Sequence, residues 1–284
     1  MDFVERGGIL INEAFLRVLE DAGLDSFAAL MERDGGTVFK KKKARSVVRF
    51  ELDGKEGKKA FYLKRHFQAE ADRGGRGFGR FLKNKRPEDG RNEWERIIEL
   101  TDAGFQTMVP VAYGPSATGG GEIKNGSLTV TEEIYDAVRV EDHIPALAGG
   151  GKDAVKEKRD IIERVARLAA RFHGMGFNHQ DFYLGHIFIR PASGELFLVD
   201  LQRVQRRDPP VERWIVKDLA QFVFSAISID NFSLSDLVRF GHAYLGKGRF
   251  SQADKKLIRK IITKSGRISR HTVKLLKKRA VEKK

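Results

Sequence analysis

Strand-like runs of apolar residues are concentrated between Val38 and Glu133; beyond Glu133 the apolar residues recur mainly every three or four residues. A period of two belongs to strands and one of 3.6 to helices, so the switch divides the chain into a sheet-forming half and a helical half. Five strands are expected in the first: Val38–Lys41, Ser46–Leu52, Ala60–Arg65, Met108–Tyr113 and Ser127–Glu133. The first three form an antiparallel meander, and a Gly-rich turn around Gly119–Gly121 joins the last two. One helix is expected among them, over Arg91–Ala103, apolar at Trp94, Ile97, Ile98 and Leu100 and stopped at Gly104. In the second half, helices are expected over Val140–Leu147, Asp153–Met175, Trp214–Ile229, Ser233–Tyr244 and Gln252–Thr263. Two short strands, His186–Arg190 and Leu196–Leu201, flank the turn PASGE. The pattern predicts an α+β protein of two lobes. Residues 1–34 read as an N-terminal helical extension, 35–134 as an antiparallel five-stranded N-lobe with one helix, 135–250 as a mainly helical C-lobe, and 251–284 as a basic amphipathic tail, with a hinge near 133–139.

Composition removes whole classes of chemistry. The 284 residues include no cysteine, which excludes disulfide scaffolds, Cys-ligated zinc, iron–sulfur clusters and thiol catalysis. No apolar run approaches the roughly 18 residues of a membrane span. The first thirty residues carry Asp2, Glu5, Arg6, Glu13, Arg17, Glu20 and Asp21, unlike a signal peptide. A cytoplasmic protein is expected.

Of the net charge of +14, +12 falls in residues 255–284, where thirteen basic residues face one acid, Glu282. The same stretch is apolar at helical spacing (Leu257, Ile258, Ile261, Ile262, Val273, Leu276, Ala280). It reads either as a helix for an anionic membrane surface or as one that packs its apolar stripe on the core, and the two are compatible.

Four residues carry the chemistry. Lys64 lies mid-strand, Glu93 opens the following helix, Asp181 sits in HQDFYLGHIFI, and Asp200 ends the strand of LFLVDLQR. Strand lysine, helix glutamate, loop aspartate and strand-end aspartate, in that order, are the parts of a protein-kinase-like phosphotransferase. Lys64 would neutralise ATP phosphates, Glu93 would hold Lys64, Asp181 would accept the proton of the attacking hydroxyl, and Asp200 would hold magnesium. Each alone has a plainer reading: Lys64 a snorkelling surface lysine, Glu93 a helix N-terminal acid, Asp200 a strand-end cap. The ordered set with His186 is specific. His173 and His179 read as structural. Asp218, 18 residues after Asp200, fits a buried anchor for the loop backbone, and that spacing leaves no room for a regulatory activation segment. Gly75-Arg-Gly77-Phe-Gly79 imitates a nucleotide loop but follows the wrong strand; KKKKAR, residues 40–45, stands where a phosphate-covering lid belongs.

The runs HQDFYLGHIFI, LVDLQRVQ and RWIVKDLAQFVFSA, with YLKRHF, RNEWERIIEL, TMVPVAYG and VTEEIYDAV in order, resemble the lipopolysaccharide core heptose(I) kinases (the WaaP or RfaP group) over roughly residues 35–245. The resemblance implies a protein-kinase-like fold and ATP-dependent phosphorylation of the first heptose of the inner core at its 4-hydroxyl. It places the catalytic aspartate at Asp181, metal ligands at Asp200 and His186, and the ATP lysine and its glutamate at Lys64 and Glu93. Cofactor contacts extend to Glu132, Glu133 and Ile134 of the hinge, and a substrate contact to Arg203. ATP and magnesium are the implied cofactors. A lipopolysaccharide core acceptor, acylated acyl carrier protein (a small acidic protein) and an anionic membrane surface are the implied partners, with the enzyme peripheral on the inner face of the cytoplasmic membrane. The chain departs from the family at Gln180 (usually Arg), Gly185 (usually Cys) and Gln202 (usually His). Those departures leave another core sugar, such as Kdo or heptose II, open as acceptor. A catalytically inactive kinase-like scaffold is the competing class. Nucleic acid is not an expected partner, because no recognition motif accompanies the charge.

Overall fold

The structure is a computed structural model that describes residues 1–42, 45–54, 57–67, 90–114 and 126–282. The Gly75–Gly79 decoy, the Gly119–Gly121 turn and residues 43–44 of the expected lid lie outside the described residues. The chain divides into two compact units, Met1–Tyr135 and Asp136–Lys284.

The first unit contains β1 (Phe3–Arg6), β2 (Ile9–Asn12), α1 (Glu13–Asp21), α2 (Phe27–Glu32), β3 (Thr37–Lys42), β4 (Arg45–Gly54), β5 (Gly57–Phe67), α3 (Gly90–Asp102), β6 (Pro110–Gly114) and β7 (Gly126–Glu132). All five expected strands form, but among the described residues the sheet has seven, in the order β1-β2-β6-β7-β5-β4-β3. Residues 1–34 are therefore part of the lobe rather than a helical extension. Gly7 and Gly8, with φ of 53° and 77°, make a two-residue hairpin turn that pairs Arg6 with Ile9. Strand β2 then joins β6, and Ile9, Ile11, Phe15, Leu19, Leu24, Phe27 and Leu30 enter the main hydrophobic core.

Strand β5 shows how the sheet positions a functional residue. Its alternation sends Phe61 and Leu63 into that core, while Tyr62 and Lys64 belong to the opposite face. Helix α3 covers this second face. It comes close because its first residue is Gly90: a Cβ there would meet Thr129 Cγ2 at 2.9 Å, and the Gly90 N–H donates to Ser127 Oγ at 2.9 Å. Lys64 is paired in register with Thr129 of β7. One turn into α3, Glu93 is thus set over Lys64. Trp94 stacks on Tyr113 and meets Phe3 edge-on, so β1 helps fix the helix.

The second unit contains β8 (Val138–Arg139), α4 (Val140–Ala146), α5 (Gly151–Gly174), β9 (Phe177–Asn178), β10 (Ile187–Arg190), β11 (Glu195–Leu198), β12 (Gln205–Arg206), α6 (Glu212–Ala226), α7 (Leu234–Leu245) and α8 (Gln252–Glu282). Helix α5 buries Ile161, Ile162, Val165, Ala166, Ala169 and Phe172 along one face. The expected tail is one continuous helix of 31 residues. Its first half packs against α6, with Ile261 and Ser265 buried. Beyond Arg270 its apolar residues Val273, Leu275 and Leu276 are exposed. Among the described residues no helix is long and apolar enough to cross a membrane.

Candidate active site

Two strand pairings place the chemistry of the second unit. Residues 179–186 run from β9 to β10, and residues 199–204 from β11 to β12. Because β10 pairs with β11 and β9 with β12, the two segments lie side by side, tied at both ends. This brings together Asp181, His186, Asp200 and Arg203.

One face of α6 holds the first segment. Asp218, fully buried, accepts the backbone N–H of His179 (2.7 Å) and of Gln180 (2.8 Å). Gln221, one turn on, accepts from the N–H of Phe182 (3.2 Å) and donates to the Gln180 carbonyl (2.8 Å). Ser225 Oγ, another turn on, accepts from the N–H of Leu184 (3.0 Å). Side chains at positions i, i+3 and i+7 thus satisfy buried amides that a turning loop could not pair with itself. Asp218 is the expected anchor. Gln221 and Ser225 went unnoticed, although their spacing from Asp218 was a readable signal. Gln180, in the left-handed region at φ 67°, donates its side-chain amide to the Arg203 carbonyl at 2.9 Å.

The histidines divide by role. His179 is fully buried, and burial pushes its pKa down, so the ring is neutral; Nε2 donates to the Val199 carbonyl at 3.0 Å. His173 is bracketed by Tyr244 Oη (3.0 Å) and Asp218 Oδ2 (3.4 Å). His186 is different. Its Nδ1 donates to the Asp181 carbonyl at 2.7 Å, which orients the ring with Nε2 3.7 Å from Asp200 Oδ2. Gln202 Nε2 donates to Asp200 Oδ1 at 2.8 Å and orients the carboxylate. An imidazole nitrogen and an oriented carboxylate oxygen, both partly exposed, suit a divalent cation that keeps most of its ligands as water and phosphate oxygen. Arg203, expected to touch substrate, donates through Nη1 to both Asp181 oxygens, at 2.9 and 3.0 Å.

In the first unit Lys64 Nζ donates to Glu93 Oε1 at 2.5 Å, with Glu93 fully buried. Glu133 accepts from Arg49 (2.9 and 2.7 Å) and from Tyr62 Oη (3.0 Å), and the Arg49 guanidinium holds its pKa down. Glu132 accepts from Lys59 Nζ at 3.2 Å. The side chains of Glu132 and Glu133 are therefore engaged in ion pairs, and any contact of 132–134 with a nucleotide falls to the main chain or to Ile134.

Residues 30–244 match the lipopolysaccharide kinase (Kdo/WaaP) family. The lipopolysaccharide core heptose(I) kinase WaaP of Pseudomonas aeruginosa is 33% identical over 250 residues, covering 83% of this chain and 85% of that protein. The enzyme of the same name from Escherichia coli K12 is 31% identical, covering 79% of this chain and 83% of its own. A solved structure of WaaP in complex with acyl carrier protein superposes with a TM-score of 0.66 at 27% identity, over 94% of this chain and 98% of that one. With the lysine–glutamate pair in one unit and the aspartates in the other, the chain is a phosphotransferase with an alcohol group as acceptor and belongs to the lipopolysaccharide kinase (Kdo/WaaP) family.

Proposed function

We propose that this enzyme transfers the γ-phosphoryl group of ATP to a sugar of the lipopolysaccharide inner core, the first heptose at its 4-hydroxyl, with Kdo or heptose II as the alternative acceptor. The observation that carries this reading is the immobilised 179–186 segment, which holds the Asp181 carboxylate partly exposed beside the His186–Asp200 pair. Asp181 accepts the proton of the sugar hydroxyl as its oxygen bonds to the γ-phosphorus, and the bond from that phosphorus to the β–γ bridging oxygen breaks, releasing ADP. Arg203 occupies one lone-pair direction on each Asp181 oxygen and leaves others for the hydroxyl. Lys64, steadied by Glu93, binds the nucleotide phosphates. Asp200 and His186 Nε2 are the residues that would hold magnesium, which when bound neutralises charge developing on the phosphates.

Acyl carrier protein is the protein partner that goes with this reading, because the related WaaP was solved with it and because an acidic protein suits a basic chain. The exposed end of α8 suits an anionic membrane surface, with Val273, Leu275 and Leu276 among Lys274 and Lys277. The function is tested with labelled ATP, magnesium and, in parallel, inner-core oligosaccharide, free monosaccharides, a generic protein and nucleic acid. Label on the oligosaccharide alone is expected; label on protein, or on nothing, would overturn the reading.

A further inference from the structure

Three cations gather on the Trp214 ring, and one of them, Lys217, interacts electrostatically with both Arg203 and Asp181. Arg207 and Arg213 place their guanidinium carbons 4.4 and 4.5 Å from the Trp214 ring centroid, and Lys217 Nζ lies 5.4 Å from it. Arg203 is a fourth cation, on Asp181. Among the described residues no carboxylate reaches ion-pair distance of Arg207, Arg213 or Lys217. Arg207 donates instead to neutral groups, Asn178 Oδ1 at 3.1 Å and Gln205 Oε1. The nearby acid Glu212 is engaged by Lys260.

The cluster is tied to the catalytic segment on both sides. Asn178 directly precedes His179, and Lys217 directly precedes Asp218, which holds His179 and Gln180. Burial lowers the pKa of Lys217 and Arg203 lowers it further, with Asp181 and Asp218 opposing in part; burial and Arg213 lower that of Arg207, with Asp218 opposing in part. A tryptophan face offsets part of this repulsion. What it leaves is a local excess of positive charge with directed N–H groups, which an arriving anion relieves.

We propose that Lys217, Arg207 and Arg213, gathered on Trp214 beside the Asp181–Arg203 pair, form the subsite that binds anionic groups of the acceptor oligosaccharide next to the hydroxyl that is phosphorylated. This rests on the kinase reading above and specifies its substrate: the acceptor is recognised as a polyanion at the catalytic carboxylate itself. Carboxylate and phosphate share the required chemistry, so the experiment separates them.

The rate with saturating ATP is measured on three acceptors: native inner-core oligosaccharide, the same with its carboxylates reduced to alcohols, and the same with its phosphates removed. Arg213→Gln and Lys217→Gln are compared with wild type and with the charge-keeping Arg213→Lys and Lys217→Arg, and each variant's melting temperature is recorded. The wild-type preference for the native acceptor over one of the two neutralised forms should shrink about tenfold in each Gln variant, the effect of one hydrogen bond to a charged group. The charge-keeping variants should restore most of it. The form that loses the preference identifies the anion. An unchanged preference in both Gln variants would overturn the subsite. So would a rise confined to the KM for ATP, or a fall in melting temperature with the preference intact. Failure of wild type to label any of the three would overturn the kinase reading itself, and the subsite with it.

Discussion

Asp218 Oδ2 accepts the backbone N–H of His179 at 2.7 Å while its Oδ1 accepts that of Gln180 at 2.8 Å, so one buried carboxylate holds the two residues that precede Asp181. A loop carrying a catalytic base must be rigid on the scale of a fraction of an ångström, and local backbone pairing does not provide that in a turn. Asp218→Asn keeps the shape but replaces one acceptor oxygen with an NH2 aimed at an N–H. A stability loss of about 2–4 kcal/mol is expected, together with a fall in kcat of at least tenfold. Thermal melting and turnover on the same sample check both.

The Lys64–Glu93 pair is buried, and its two ends are unequal. Lys64→Ala leaves the fully buried Glu93 carboxylate without its cation, so it should destabilise the first unit by about 3 kcal/mol as well as weaken ATP binding. Glu93→Gln removes the charge and nearly preserves the shape. It should cost less stability and still weaken ATP binding, because Lys64 loses its ion pair with Glu93. ATP titrations and chemical denaturation of both variants separate the effects. Equal ATP affinity in wild type and both variants would remove the pair from the nucleotide site.

Magnesium dependence ranks the metal candidates. A carboxylate oxygen is a better magnesium ligand than an imidazole nitrogen. Asp200→Asn should therefore raise the magnesium needed for half-maximal rate more than His186→Ala does. The reverse order would make His186 the dominant ligand.

Helix α8 packs its first half on α6 and leaves apolar residues beyond Arg270 exposed, the end proposed for an anionic surface. Ending the chain after Arg270 leaves Ile261 and Ser265 packed and removes exposed Val273, Leu275 and Leu276. The truncated protein should fold normally and lose salt-sensitive binding to anionic vesicles, each lost basic residue near the surface contributing roughly 1 kcal/mol. Undiminished vesicle binding at low salt would refute the membrane role.

The sequence made some of these relationships visible and hid others for physical reasons. Asp181, Asp200 and Asp218 were legible because each stands beside a strand or helix with a clear apolar period. The Lys64–Glu93 pair was legible from strand and helix order, although its distance depends on the close approach at Gly90, which no local pattern announces. The β1–β2 hairpin was missed although Gly7-Gly8 is a two-residue turn signal: two strands of four residues each are too short to show a period. The Arg203–Asp181 contact was hidden because the two residues lie 22 apart in sequence, and only the pairing of β9 with β12 brings them together. The cations around Trp214 read as scattered surface charge until one ring collects them.

The most direct test is phosphotransfer by Asp181→Asn, a variant that should keep the Arg203 contact and the fold. With labelled ATP, magnesium and inner-core oligosaccharide, wild type should label the sugar. A correctly folded Asp181→Asn protein with wild-type ATP affinity should label it at least a hundredfold more slowly, the scale of a lost general base. Turnover by the folded variant at the wild-type rate would contradict the assignment of Asp181 as the base, and with it the mechanism built on the 179–186 segment.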